Sequence, residues 1–327
     1  MRRYIYETMR PEIYHGHNKD RPYFEGWYYK LISADEQSRY AVIPGIFKGE
    51  GGDDHAFIQV LDGMNGHATY HQYPADAFYA HEESFDVRVG DSRFWRDGLS
   101  LNIDDEQARI HGELKFIGGE GWPVSWLSPG VMGWYAWLPF MECYHGVVSF
   151  DHRIEGELRV DGTTIDFSGG RGYMEKDWGQ NFPSAYVWAQ SNHFDVPLTS
   201  LFASAALIPS LGRVWRGFLM GFYFQGRLYP FATHTGAEVE TLKLTDDHVY
   251  LTIADRSHRV ELAAVRQSGG LLKAPIRTEM HKRVDETMRS DLDVRLSTRS
   301  GQTIFEGRGR NAALEVHGDL ERLLNTR

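Results

Sequence analysis

The chain carries a single cysteine, Cys143, so no intramolecular disulfide braces it, and a reducing, cytoplasmic compartment is expected. It has no excess of positive charge: 35 Lys and Arg stand against 45 Asp and Glu, a formal net charge of −10. That balance excludes nucleic acid as an expected partner and disfavours strong attraction to anionic membranes. No apolar run is long enough to span a bilayer, so a protein in solution is expected. The basic, aromatic start from Met1 to Arg10 lacks the apolar core of a signal peptide. Helical periodicity is scarce, and Asp319 to Leu324 alone reads as one short terminal turn.

Cofactor motifs are missing as well. Gly169-Gly170-Arg171-Gly172 is not followed by the Lys-Ser/Thr of a P-loop, and no strand–helix glycine fingerprint occurs. His15 with His17, and His67 with His71, have tolerable metal spacing but no second ligand pair nearby. There is no His-Glu-x-x-His and no Gly-x-Ser-x-Gly elbow. The expectation is therefore no cofactor and no metal.

What the chain does have is aromatic surface: 13% Phe, Trp and Tyr, including 9 Trp and 17 Tyr. Such side chains suit a greasy pocket that must still orient its occupant. The 327 residues also alternate apolar and polar positions between Gly, Asp and Asn punctuation, as in Ile110 to Phe116. Leu158-Arg159-Val160, Asp161-Gly162 and Thr163 to Phe167 read as a hairpin with a primed turn. Val249–Ile253 with Val260–Ala264, then Leu292–Leu296 and Ala313–Val316, continue the rhythm. Short strands at this spacing predict an all-β, antiparallel sandwich or barrel. The glycine cluster at 169–172 divides the strands about equally, giving domains at 1–170 and 171–327 with a pocket near their interface.

Three segments concentrate chemistry. Gly170 to Gly179 places Tyr173, Glu175, Lys176, Asp177 and Trp178 together, with Trp188, Gln190 and Asn192 shortly after. If extended, Glu175 and Asp177 point to one side and Lys176 to the other. A buried carboxyl with a second carboxylate nearby is held in its acid form more readily, and an acid facing aromatic walls can protonate a carbon–carbon double bond. The bland alternative is a linking turn with solvated charges. Glu142, Tyr144 and His145 follow a run of large apolar side chains beginning near Trp134. They either relay a proton or serve as satisfied core hydrogen bonders, and Cys143 beside them reads as a small hydrophobe. Glu25, Trp27 and Tyr28 in Phe24 to Lys30 either line a ligand cavity or pack a barrel floor, with Gly26 permitting close backbone approach.

These segments resemble the tocopherol cyclase family. Phe24-Glu25-Gly26-Trp27-Tyr28-Tyr29-Lys30 looks like its N-terminal aromatic signature. Gly133-Trp134-Tyr135 through Pro139 to Ser149 and Asp151-His152 is similar almost residue for residue. Glu175-Lys176-Asp177-Trp178-Gly179, Phe182-Pro183, Trp188, Gln190 and Asn192 form the third match, and weaker echoes reach Leu272 to Pro275 and Ala312 to Val316. The resemblance implies two lipocalin-like β-barrels in tandem, shared with carotenoid hydratases. By the short Tyr-x-Asp-x-Asn-Trp motif of those hydratases, Tyr173 and Glu175 stand at functional positions, and His145 corresponds to a pocket histidine. Asp177 departs from the usual Asn of the cyclase motif, and no plastid transit segment of the kind plant members carry is expected.

The expected activity is thus an isomerase: cofactor-free cyclisation of a prenylated hydroquinone to a chroman, with Glu175 as proton donor. Glu142, Tyr144 or His145 accepts the phenolic proton, and Trp27, Tyr28, Trp134, Trp178 and Trp188 wall the cation. Two other readings of the same pocket are an isoprenoid hydratase and a non-catalytic carrier of prenyl quinones or other lipids. Prenyl lipids live in bilayers, so peripheral membrane contact is a further expectation, and it would have to use exposed loop aromatics.

Overall fold

The structure, a computed structural model, describes residues 2–210 and 212–326. It is all-β: two compact units, each built on its own antiparallel sheet. The first comprises residues 1–182 with 271–283, and the second 183–270 with 284–327. The expected cut at 170/171 falls inside the first unit. Its reason is pairing: Arg171–Gly179 is a central strand of the first sheet, held between Tyr23–Ile32 and Cys143–Val160.

The first sheet consists of two meanders joined at that strand. One runs from Tyr23–Ile32 through Arg39–Lys48 and Asp54–Asp62 to His67–Pro74. The other runs from Cys143–Val160 back through Arg109–Ile117 and Gly98–Asp104 to Phe78–Ala80. Alternation sends Trp27, Tyr29 and Leu31 to one face, where they pack with Phe94, Leu114, Val148, Met174 and Trp178 into a buried core. The Asp-Gly hairpin forms as the sequence predicts: Val160 pairs with Thr163, and Asp161 and Gly162 take φ of +48° and +87°. Close approach at the Tyr23–Ile32 strand is served by Gly45 rather than Gly26. A Cβ on Gly45 would meet the Glu25 carbonyl at 2.5 Å, whereas one on Gly26 would find ordinary contacts.

The second unit repeats the plan around Leu201, Phe222, Phe231, Leu251, Leu292 and Phe305. His248–Ala254 pairs with His258–Val265, and the two predicted C-terminal strands extend to Met280–Thr298 and Thr303–Gly318. The terminal turn is a helix, Leu320–Asn325, with the Asp319 carboxylate accepting from Arg322 N–H at 3.0 Å. The helix Arg2–Thr8 is not foreshadowed by periodicity, since it buries no residue; an Arg3–Glu7 pair and a bond from Tyr4 hydroxyl to the Trp137 carbonyl hold it.

Candidate functional site

Three adjacent strands of the first unit position the chemistry. The register sets Gly26, Asp177 and His145 in one row, and Tyr28, Glu175 and Val147 in the next. Cross-strand neighbours project to the same face, so Tyr173, Glu175, Asp177 and His145 share a side although His145 lies on another strand. Tyr173 and Glu175 are buried. The Tyr173 hydroxyl donates to Glu175 Oε2 at 2.6 Å. His145 stands between the two carboxylates, with Nδ1 at 2.8 Å from Asp177 Oδ1 and Nε2 at 3.4 Å from Glu175 Oε2.

Burial alone would lower the basicity of His145. The flanking Asp177 and Glu175 more than offset that and raise its pKa to about 10. The ring is therefore an imidazolium at neutral pH, and the cluster stores a proton between two carboxylates. The Tyr173 phenol is pushed well above its ordinary value by burial and then by Glu175, so it stays protonated and acts as a donor. Burial likewise raises the Cys143 thiol, which leaves Cys143 a neutral neighbour of Asp177.

The opposite face of the same strands carries a second ionic group. Lys176 and Glu25 are both fully buried and meet at 2.5 Å. Lys176 also donates to the carbonyls of Pro11 and Ile13 and contacts His15 Nδ1 at 2.7 Å, pinning the N-terminal segment there. Glu25 accepts from the His15 amide and the Tyr23 hydroxyl. The ammonium lies 4.5 Å from the Trp178 ring centre and 5.0 Å from that of Trp27, and His15 stacks on Trp178. Burial would push Glu25 upward, but Lys176 and His15 bring its pKa below the usual range. The same burial lowers Lys176.

Strand parity thus divides the residues singled out in the sequence. Glu175, Asp177, Tyr173 and His145 meet. Glu25, Trp27, Lys176 and Trp178 lie on the other face, so they do not wall Glu175. Tyr144 belongs with them, stacked on Trp178 and bonded to the Leu138 carbonyl. Glu142 precedes the strand, and its carbonyl accepts from the Gln180 amide. Trp134 lies in the short 3-10 helix Gly133–Trp137 and is 48% exposed. Tyr28 shares the Glu175 face, because the two residues pair directly. Trp188 and Gln190 lie on Ala185–Ser191 of the second unit, with Asn192 just beyond. All three are buried, and Trp188 and Gln190 alternate with the core residues Val187 and Ala189. The Glu25–Lys176 pair is the feature sequence reasoning missed; the two apolar-flanked charges were its only signal.

A cavity of about 200 Å³ opens beside the second ionic group, lined by Glu7, His15, Tyr23, Met132, Tyr144 and Trp178 among others. All its lining comes from the first unit, whereas the expectation was a pocket at a domain boundary. His145, Glu175 and Asp177 also offer nitrogen and oxygen donors within 4.8 Å of one another, a set able to hold a metal ion. Its donors are already joined through the imidazolium, so a cation would have to displace that proton.

A family model described as tocopherol cyclase-like matches residues 96–318. A probable chloroplastic tocopherol cyclase of Oryza sativa subsp. japonica is 26% identical over an alignment covering 93% of this chain and 77% of that protein. The chloroplastic tocopherol cyclase of Zea mays is 25% identical with the same coverage. Among solved structures, CghA with Sch210972 is similar at a TM-score of 0.55 and 13% identity, covering 91% of this chain and 89% of that one. Kievitone hydratase from Nectria haematococca gives 0.52 and 12%, with 94% of each chain covered. These two likenesses concern the fold.

Proposed function

As this chain belongs to the tocopherol cyclase-like family, we propose that it cyclises a prenylated hydroquinone to a chroman by proton transfer through Glu175. The observation that carries it is the Tyr173–Glu175–His145–Asp177 chain, buried at Tyr173 and Glu175, in which an imidazolium spans two carboxylates. His145 passes its Nε2 proton to Glu175, and the Glu175 carboxyl protonates the less substituted carbon of the prenyl double bond. The π pair forms the new C–H bond and leaves a tertiary cation. A lone pair on the substrate's phenolic oxygen closes on that carbon, and the phenolic proton returns to the carboxylate–imidazole chain. Atoms and charge balance, so the product is an isomer of the substrate.

Each side chain has one task. Tyr173 holds Glu175 by donating to Oε2. Asp177 orients the imidazole through Nδ1 and stabilises its charge between turnovers. Tyr28, beside Glu175, gives a ring face for the cation, worth about 2 kcal/mol when desolvated. The test is turnover of a panel of prenylated hydroquinones by the parent and by Glu175→Gln, followed by chromatographic retention because mass does not change. A product heavier by one water would assign a hydratase, and stoichiometric retention without turnover a carrier.

A further inference from the structure

The first unit also presents a surface that the proton chain does not use. Residues 121–141 contain no Asp, Glu, Lys or Arg, in a chain where these make up 24%. Large apolar side chains stand exposed within this stretch: Trp126 at 63%, Leu127 at 87% and Phe140 at 62%, with Val124 and Trp134 beside them. Isolated exposed hydrophobes need no explanation, but a run of them on one uncharged loop does.

The loop is braced so that these groups stay outside. Ser125 and Ser128 exchange amide-to-carbonyl bonds at 3.0 and 3.2 Å, closing a tight turn with Trp126 and Leu127 at its tip. Trp137 stacks on Trp126 with ring centres 5.5 Å apart and donates from Nε1 to the Trp126 carbonyl at 3.0 Å. Tyr4 in turn donates to the Trp137 carbonyl at 2.6 Å, which brings the Arg2–Thr8 helix and the exposed Arg2 alongside. Lys19, also exposed, lines the same cavity as Pro129 and Met132 of the loop.

We propose that residues 121–141 form a docking surface for a zwitterionic lipid bilayer, with Trp126 and Leu127 entering the interfacial layer. Indole rings favour that layer because one edge is apolar and the other bonds to water or headgroup. A two-residue tip that projects fits a disordered interface, whereas a second protein would need a complementary pocket and a broad face. Arg2 and Lys19 can meet lipid phosphates, while the net charge of −10 opposes recruitment by anionic lipid. The proposed function gives such a surface its use, since a prenyl lipid must be drawn from a membrane, and binding is measured apart from it.

The experiment is flotation of the full chain with phosphatidylcholine vesicles, comparing the parent with Trp126→Ser/Leu127→Ser. Both side chains are exposed, and a thermal melt verifies that the variant folds. The parent should float with a blue-shifted tryptophan emission. The variant should bind about tenfold more weakly or worse, with unchanged turnover of detergent-solubilised hydroquinone. A parent that does not float, or a variant that floats equally well, overturns the proposal. So does a parent dimer that the double substitution converts to monomer, which would make the loop a protein interface. Vesicle binding lost in the variant with no hydroquinone turned over by either protein would uphold docking and reject the proposed function.

Discussion

Glu175 owes its setting to strand parity and to one residue on a neighbouring strand. Its face contains Tyr173 two positions before and Asp177 two after, and His145 joins because it pairs with Asp177 across the sheet. General-acid groups contribute roughly 100-fold to 10,000-fold, so Glu175→Gln should slow cyclisation by at least about 100-fold; the variant also takes one carboxylate from His145, so its melting temperature should fall while the protein stays folded. His145 gives a pH signature. Its folded pKa of about 10 lies above the unfolded value near 6.5, so the stability it contributes is complete below 6.5 and lost as pH rises through 10. Thermal melts between pH 6 and 10 should show that decline in the parent and a flatter profile in His145→Gln. Buried His152 works in the opposite sense: burial lowers it to about 3, so its contribution is complete above 6.5 and lost as pH falls toward 3. A chelator should leave turnover unchanged. Activity lost to a chelator and restored by a divalent cation would instead assign the His145–Glu175–Asp177 set to a metal.

At the scale of the element, the patch made by Tyr23–Ile32, Arg171–Gly179 and Cys143–Val160 carries charge on both faces. The Glu25–Lys176 pair is fully buried and anchors residues 11–15. Removing one partner leaves an uncompensated buried charge, which costs about 3–5 kcal/mol. Lys176→Met should therefore lower stability by that amount in urea unfolding. Adding Glu25→Gln to it should recover part of the loss, and a double variant as unstable as the sum of the singles would deny the coupling. The alternation that separates Glu175 and Asp177 from Lys176 was legible in the sequence, because period two needs no partner strand. The destination of Lys176 was not, since Glu25 lies on a distant segment brought near by pairing alone. Tyr144 and His145, by contrast, follow strand parity as neighbours, and the pleat sends them to opposite faces.

For the whole molecule, composition and turn chemistry were enough to read two antiparallel β units, as the Asp161-Gly162 hairpin illustrates. The cut between them was less legible. Gly169 and Gly170 looked like a linker, but they lead into a strand that the first sheet needs. The tocopherol cyclase-like match runs through both units, and Tyr173, Glu175, Asp177 and His145 all lie in the first. The proposed function turns on Glu175 as the donor of a proton to a prenyl double bond. The most direct measurement incubates a prenylated hydroquinone with parent protein and with Glu175→Gln, and separates substrate from product chromatographically. The parent should form a chroman of unchanged mass, and the variant should form it about 100-fold more slowly or not at all. Equal rates of cyclisation by the two proteins would contradict that role for Glu175.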